Sequence, residues 1–163
     1  MKHYEHMQET ILAFFSSKGI EVEIEPSGSR GPDVRGVNTT LVGEVKHETE
    51  LCRDLHCKYW KDWNSTQHFG GKTTDYRLAD HLPAGAVKFD DNVRGWLAVL
   101  WGQLRYMVRD AGLAEGWIIY ENYYSFEHSL LEATSFLAGQ SLICADVPEH
   151  SDNVGFCKIT FTA

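Results

Sequence analysis

Apolar residues recur along the first eighteen positions with helical spacing. Tyr4, Met7, Ile11, Phe14 and Phe15 fall at i, i+3/i+4 steps, which predicts an amphipathic helix over residues 3–18. Gly19, directly after Lys18, is its expected stop. The period then changes to two. Ile20, Val22 and Ile24 alternate with Glu21, Glu23 and Glu25, the mark of a strand with one buried face. Residues 26–32 combine Pro, Ser and Gly and read as a loop. Two short strands are expected over 33–37 and 40–47, joined by a turn near 36–38. Residues 48–90 carry no clear period; 51–63 fit a helix and 70–86 a loop. Val93, Leu97, Leu100, Trp101, Leu104 and Val108 form the stripe of a second helix over 93–111, which Gly112 ends. A buried strand (116–120), a helix (125–137) and two closing strands (141–147 and 156–161) complete the chain. Helix and strand in this order predict an α/β fold, a mixed sheet flanked by helices.

The length of 163 residues fits a single domain, and no composition shift marks a boundary. Residues 48–90 are best placed as an insertion within it. At 43% apolar the chain can bury a real core. No apolar run approaches the roughly 18 residues of a membrane helix. The opening Met1-Lys2-His3-Tyr4-Glu5-His6 lacks a signal-peptide core. A soluble cytoplasmic protein with no membrane partner is the expectation. Cys52, Cys57, Cys144 and Cys157 are then free thiols by default. Cys52 and Cys57 do lie beside His47 and His56, which raises zinc, although the Cys-x4-Cys spacing is loose for a structural site.

The net charge of −8 argues against a protein that merely coats nucleic acid. Its distribution is uneven. Residues 53–88 hold 6 Lys+Arg against 4 Asp+Glu, while 1–52 hold 5 against 9 and 89–163 hold 4 against 10. The one positive stretch is also aromatic, running Lys58-Tyr59-Trp60-Lys61-Asp62-Trp63 and His68-Phe69-Gly70-Gly71-Lys72. Interleaved basic and aromatic side chains can hold phosphates and stack on exposed bases. A loop whose Trp residues pack on the core fits the same pattern.

The chemistry lies in Gly31-Pro32-Asp33-Val34 followed by Glu44-Val45-Lys46. Side chains alternate across a strand, so Glu44 and Lys46 share one face and Val45 turns to the other. Antiparallel pairing can bring Asp33 beside Glu44. Two convergent carboxylates suit Mg²⁺, which keeps several of its waters. A nearby lysine can orient an attacking water and neutralise charge on a phosphate.

Pro32-Asp33 with Glu44-x-Lys46, behind a helix, a strand and a Ser/Gly loop, resembles the PD-(D/E)XK nuclease superfamily. The resemblance implies a restriction-endonuclease-like fold with the motif on its second and third strands. The first 50 residues are most similar to archaeal-type Holliday-junction resolvases. Their glutamate-bearing helix, KGF-like turn and Ser-Gly-Ser loop correspond to Glu5 or Glu9, to Lys18-Gly19-Ile20, and to Ser27-Gly28-Ser29. The resolvases are smaller and basic, and this chain is neither.

What the resemblance implies is a metal-dependent DNA endonuclease. Asp33, Glu44 and Val45 form its metal set, with Mg²⁺ as cofactor (Mn²⁺ can substitute) and no organic cofactor. Lys46 assists the water, and Glu9 or Glu5 completes the site. Ser29, Arg30, Lys58, Lys61, Lys72 and Arg77 are the candidate DNA contacts. Cutting two strands requires two sites, hence a homodimer, with 59–63 or 117–124 as its contact. The substrate is branched DNA, or a duplex site as in restriction enzymes. Gln103 and Tyr106 resemble a helix element that borders the site in exonuclease members. His47 should face away from Lys46. Outside the enzyme class stand a non-catalytic nucleic-acid-binding module with the same fold and a metal-binding regulator centred on His47, Cys52, His56 and Cys57.

Overall fold

The computed structural model describes residues 2–25, 32–46, 68–69, 72–73, 85, 88–110, 112–113 and 115–162. Helix α1 (Lys2–Ser17) covers the span its periodicity demands. Gly19 closes it at φ +76°, with the Ile20 N–H donating back to the Phe15 carbonyl at 2.9 Å. Strands β1 (Val22–Ile24), β2 (Val34–Gly36) and β3 (Val42–Lys46) follow as an antiparallel meander. A small antiparallel pair joins β4 (His68–Phe69) to β5 (Lys72–Thr73), the second of which falls where 70–86 reads as loop. The gap of two residues between them, Gly70-Gly71, is a hairpin signal that the sequence reading passed over. The helix expected over 51–63 lies outside the described residues.

The second helix is a rod in three parts: α2 (Asp91–Leu97), a π-helical stretch (Ala98–Leu104) and α3 (Arg105–Asp110). It starts two residues earlier than its apolar stripe predicts. Asp90 caps it, accepting the Val93 N–H at 3.0 Å. Residues 95–102 are buried all round rather than on one stripe. Gly112, at φ +73°, ends the rod as expected. Strand β6 (Glu115–Glu121), helix α4 (Tyr124–Gly139) and strands β7 (Ile143–Ala145), β8 (Glu149–Ser151) and β9 (Val154–Phe161) complete the chain. Strand β8 was not anticipated, because Glu-His-Ser carries no apolar alternation. Its signal is the turn: Asp152 and Asn153 both have positive φ, the two-residue loop a tight hairpin needs.

Among the described residues seven strands form one mixed sheet in the order β1-β2-β3-β6-β9-β7, with β8 beside β9. Within it only β3 and β6 run parallel. Strand alternation splits the core in two. On one face α1 packs Met7, Ile11, Phe14 and Phe15 against Val22, Val34, Trp117, Ile119 and Phe156. Phe14 stacks on Phe156 with ring centroids 3.7 Å apart, and Phe15 meets Trp117 edge-on. On the other face the α2–α3 rod and α4 cover Val42, Ile118, Tyr120, Cys157 and Ile159. The result is a single α/β domain with a mixed sheet between helical layers. Among the described residues no helix is long and apolar enough to cross a membrane.

Gly155 shows how tightly the second face is built. A Cβ there would sit 2.3 Å from Tyr120 Cζ, since the Tyr120 ring lies flat over the glycine. Gly155→Ala must push the ring aside. We expect a loss of about 1–3 kcal/mol in urea unfolding. The double variant Gly155→Ala/Tyr120→Phe should not recover the loss, because the ring carbons still meet the new methyl and the hydroxyl's bond to Glu127 is gone.

Candidate functional site

The β2–β3 register pairs Val34 with Gly43 and Arg35 with Val42. Continued by one residue, it places Asp33 opposite Glu44. The Gly36 N–H bonds the Leu41 carbonyl, so hydrogen-bonded positions alternate from there, and the next beyond 34/43 would be Pro32 with Val45. Proline has no N–H to return. The Val45 N–H instead donates to Asp33 Oδ2 at 2.9 Å. The Pro-Asp pair thus ends the ladder and sets a carboxylate against the β3 main chain. Asp33 and Glu44 fall at a non-hydrogen-bonded position, where side chains stand closest.

Glu44 pairs with Ile118 and Lys46 with Tyr120, so both side chains belong to the face of the α2–α3 rod. Val45 pairs with Ile119 and packs in the α1 cluster, as alternation requires. Lys46 Nζ lies 3.7 Å from Glu44 Oε2, and both residues are buried, at 8% and 4% exposure. A buried ion pair is weak grounds for stability, since desolvation offsets much of its attraction.

Asp33, Glu44, Val45 and Lys46 come together. Glu5 and Glu9 are placed differently. Both are exposed on α1, and α1 covers the opposite face of the sheet. Its first turns do lie at the end where β3 and β6 finish: His6 and Thr10 contact Asp152, in the turn beside the Glu121–Val154 pair. Both glutamates lie off the core stripe of α1. Gln103 sits in the π-helical stretch and Tyr106 in α3. Both residues are half-buried. The Gln103 side-chain oxygen is buried.

Ser29, Arg30, His47, Cys52, His56, Cys57, Lys58, Lys61 and Arg77 lie outside the described residues. Lys72 is in β5. The idea that 117–124 offers a contact face needs correction. Trp117, Ile118, Ile119 and Tyr120 are buried in the central strand, and only Tyr123 and Tyr124 of that stretch are exposed. The aromatic run that suggested a surface is the middle of the sheet.

Sequence reading missed one polar cluster. The Tyr120 hydroxyl donates to Glu127 Oε2 at 2.6 Å, and the same oxygen meets His150 Nε2. Burial, then the Glu127 carboxylate, push the Tyr120 phenol far above its ordinary range, so it stays a neutral donor. The available signal was a tyrosine closing the apolar run Trp117–Ile119, followed three positions after Tyr124 by a glutamate.

Among the described residues no group of three or more His, Cys, Asp or Glu side chains is arranged around a common metal position. Two carboxylates and main chain at one strand end nevertheless match the sparse protein donor set with which Mg²⁺ is usually held. Comparison with protein-family models, curated proteins and solved structures returned no match.

Proposed function

We propose that this chain is a Mg²⁺-dependent endonuclease that hydrolyses phosphodiester bonds in DNA, on a restriction-endonuclease-like frame. The observation that carries the reading is the convergence of Asp33, Glu44 and Lys46 at the ends of adjacent strands. The helix–strand–strand–strand order, with Asp33 just before β2 and Glu44 and Lys46 on β3, supports the frame. Branched DNA is the favoured substrate, by the likeness of the N-terminal third to junction resolvases, and a homodimer supplies the second cut.

In this reading Asp33 and Glu44, with the main chain at Val45, hold the ion. Bound Mg²⁺ supplies a water of lowered pKa and neutralises charge on the phosphate. Lys46, fixed by Glu44, directs its ammonium at the phosphate and orients the attacking water. Asp33 is fixed by the Val45 N–H, so its carboxylate need not reorganise when substrate arrives.

Cleavage of a four-way junction, supercoiled plasmid, linear duplex, single strand and RNA tests this, with Mg²⁺ against EDTA. Asp33→Asn and Lys46→Met should each lower the rate by about 10²–10³-fold. Cutting that survives both variants would sink the assignment. Binding without cutting would move the protein to the non-catalytic module.

A further inference from the structure

One row of the sheet runs across four strands. Lys46 pairs with Tyr120, Tyr120 with Gly155, and Gly155 with His150. Residues in one row share a face, so Lys46, Tyr120 and His150 all stand on the side of α4. Gly155 leaves room for the Tyr120 ring to lie across β9 and bring its hydroxyl to Glu127 Oε2. That oxygen also takes His150 Nε2. His150 is held through one ring nitrogen, and its side chain remains 41% exposed. A carboxylate on one nitrogen fixes the ring and leaves the other facing outward.

We propose that His150 is a phosphate-contacting residue of the nucleic-acid surface, positioned by Glu127 and Tyr120; this rests on the nuclease reading. Three strand spacings of about 4.8 Å set its backbone about 14 Å from that of Lys46. It therefore meets a phosphate flanking the one being cut. As an imidazolium its outer N–H donates to a phosphate oxygen; as a neutral ring it gives no charge. Phosphate fits this geometry better than a metal, since one free ring nitrogen is a poor ligand set and Glu127 already accepts two contacts.

The groups around His150 are few. From α4 comes Glu127, and from β6 Tyr120. Strand β9 presents Gly155 and, further along, the Cys157 thiol, with Asp146 beyond it. Glu149 and Asp152 turn to the other face, where they meet Lys18 and His6.

The experiment uses the full chain with labelled histidine rings, the His150 signal being assigned by its loss in His150→Gln. A 12-nucleotide DNA strand is titrated in EDTA at pH 6. We expect the His150 signal to move with the oligonucleotide. In His150→Gln the salt slope of log affinity should drop by about 1. Glu127→Gln should reduce the movement of the His150 signal, and Tyr120→Phe should do so by less while keeping the ring packed.

A His150 signal unmoved while other signals report binding would overturn the proposal, as would an unchanged salt dependence in the variant. If the protein cuts DNA and His150 stays silent, the nuclease reading stands alone. Movement of His150 without cutting keeps the phosphate contact and removes the nuclease. Neither binding nor cutting removes both.

Discussion

Lys46→Met should destabilise the protein by about 3–5 kcal/mol, and Glu44→Leu/Lys46→Met should recover most of that loss. The ammonium and carboxylate lie 3.7 Å apart with 10% and 6% of their side chains exposed, so each supplies part of the other's compensation. Removing the cation leaves a buried carboxylate that must be desolvated without it. Removing both replaces the pair by apolar groups against Val42 and Ile118, where burial is favourable. Urea midpoints at pH 7 for the two single variants and the double measure the coupling. A double variant as unstable as the sum of the singles would contradict the pairing. The same series separates stability from chemistry, since the recovered double variant should fold and still fail to cut.

Alkaline pH should weaken the fold steeply. Burial, with smaller contributions from Asp146 and Glu127, pushes the Cys157 thiol from near 9 up to about 12. The folded state therefore keeps the proton that the unfolded chain gives up above pH 9. Stability is fully present below pH 9, falls as pH rises from there, and levels off near 12. The gap corresponds to about 4 kcal/mol at full titration. Tyr120 acts in the same direction from about pH 10 upward, because its phenol is raised too. Unfolding free energies between pH 8 and 11.5 should fall less in Cys157→Ala than in the parent. Parallel curves for the two proteins would mean that Cys157 is not the group concerned. The buried thiol should also resist alkylation in the native state, unlike exposed Cys144.

Where periodicity was strong, the fold could be read from the chain. Met7, Ile11, Phe14 and Phe15 specify α1, and the Ile20–Glu25 alternation specifies β1, because each pattern has only one way to bury its apolar face. The site was legible for the same reason: alternation alone puts Glu44 and Lys46 together. Three things were not legible. The β3–β6 pairing joins distant segments and leaves no local mark. The Asp33–Val45 hydrogen bond depends on the ladder ending at Pro32, which only the register reveals. The Tyr120–Glu127–His150 cluster unites β6, α4 and β8, and β8 is too polar to announce itself as a strand. Trp117–Tyr120 misled in the opposite direction, since a run buried on both faces carries no alternation to distinguish inside from outside.

The parallel contact of β3 with β6 also sets an order of assembly. Lys46 and Tyr120 meet across more than seventy intervening residues, whereas β8 and β9 are joined by two. Closing the long loop costs more entropy and slows that contact. The β1–β2–β3 meander and the β8–β9 hairpin are built from nearer pairings, so they are the parts able to form first. The N-terminal helix and its three strands leave the ribosome first and wait, with the α1 aromatic stripe uncovered, until β6 and β9 arrive to receive it.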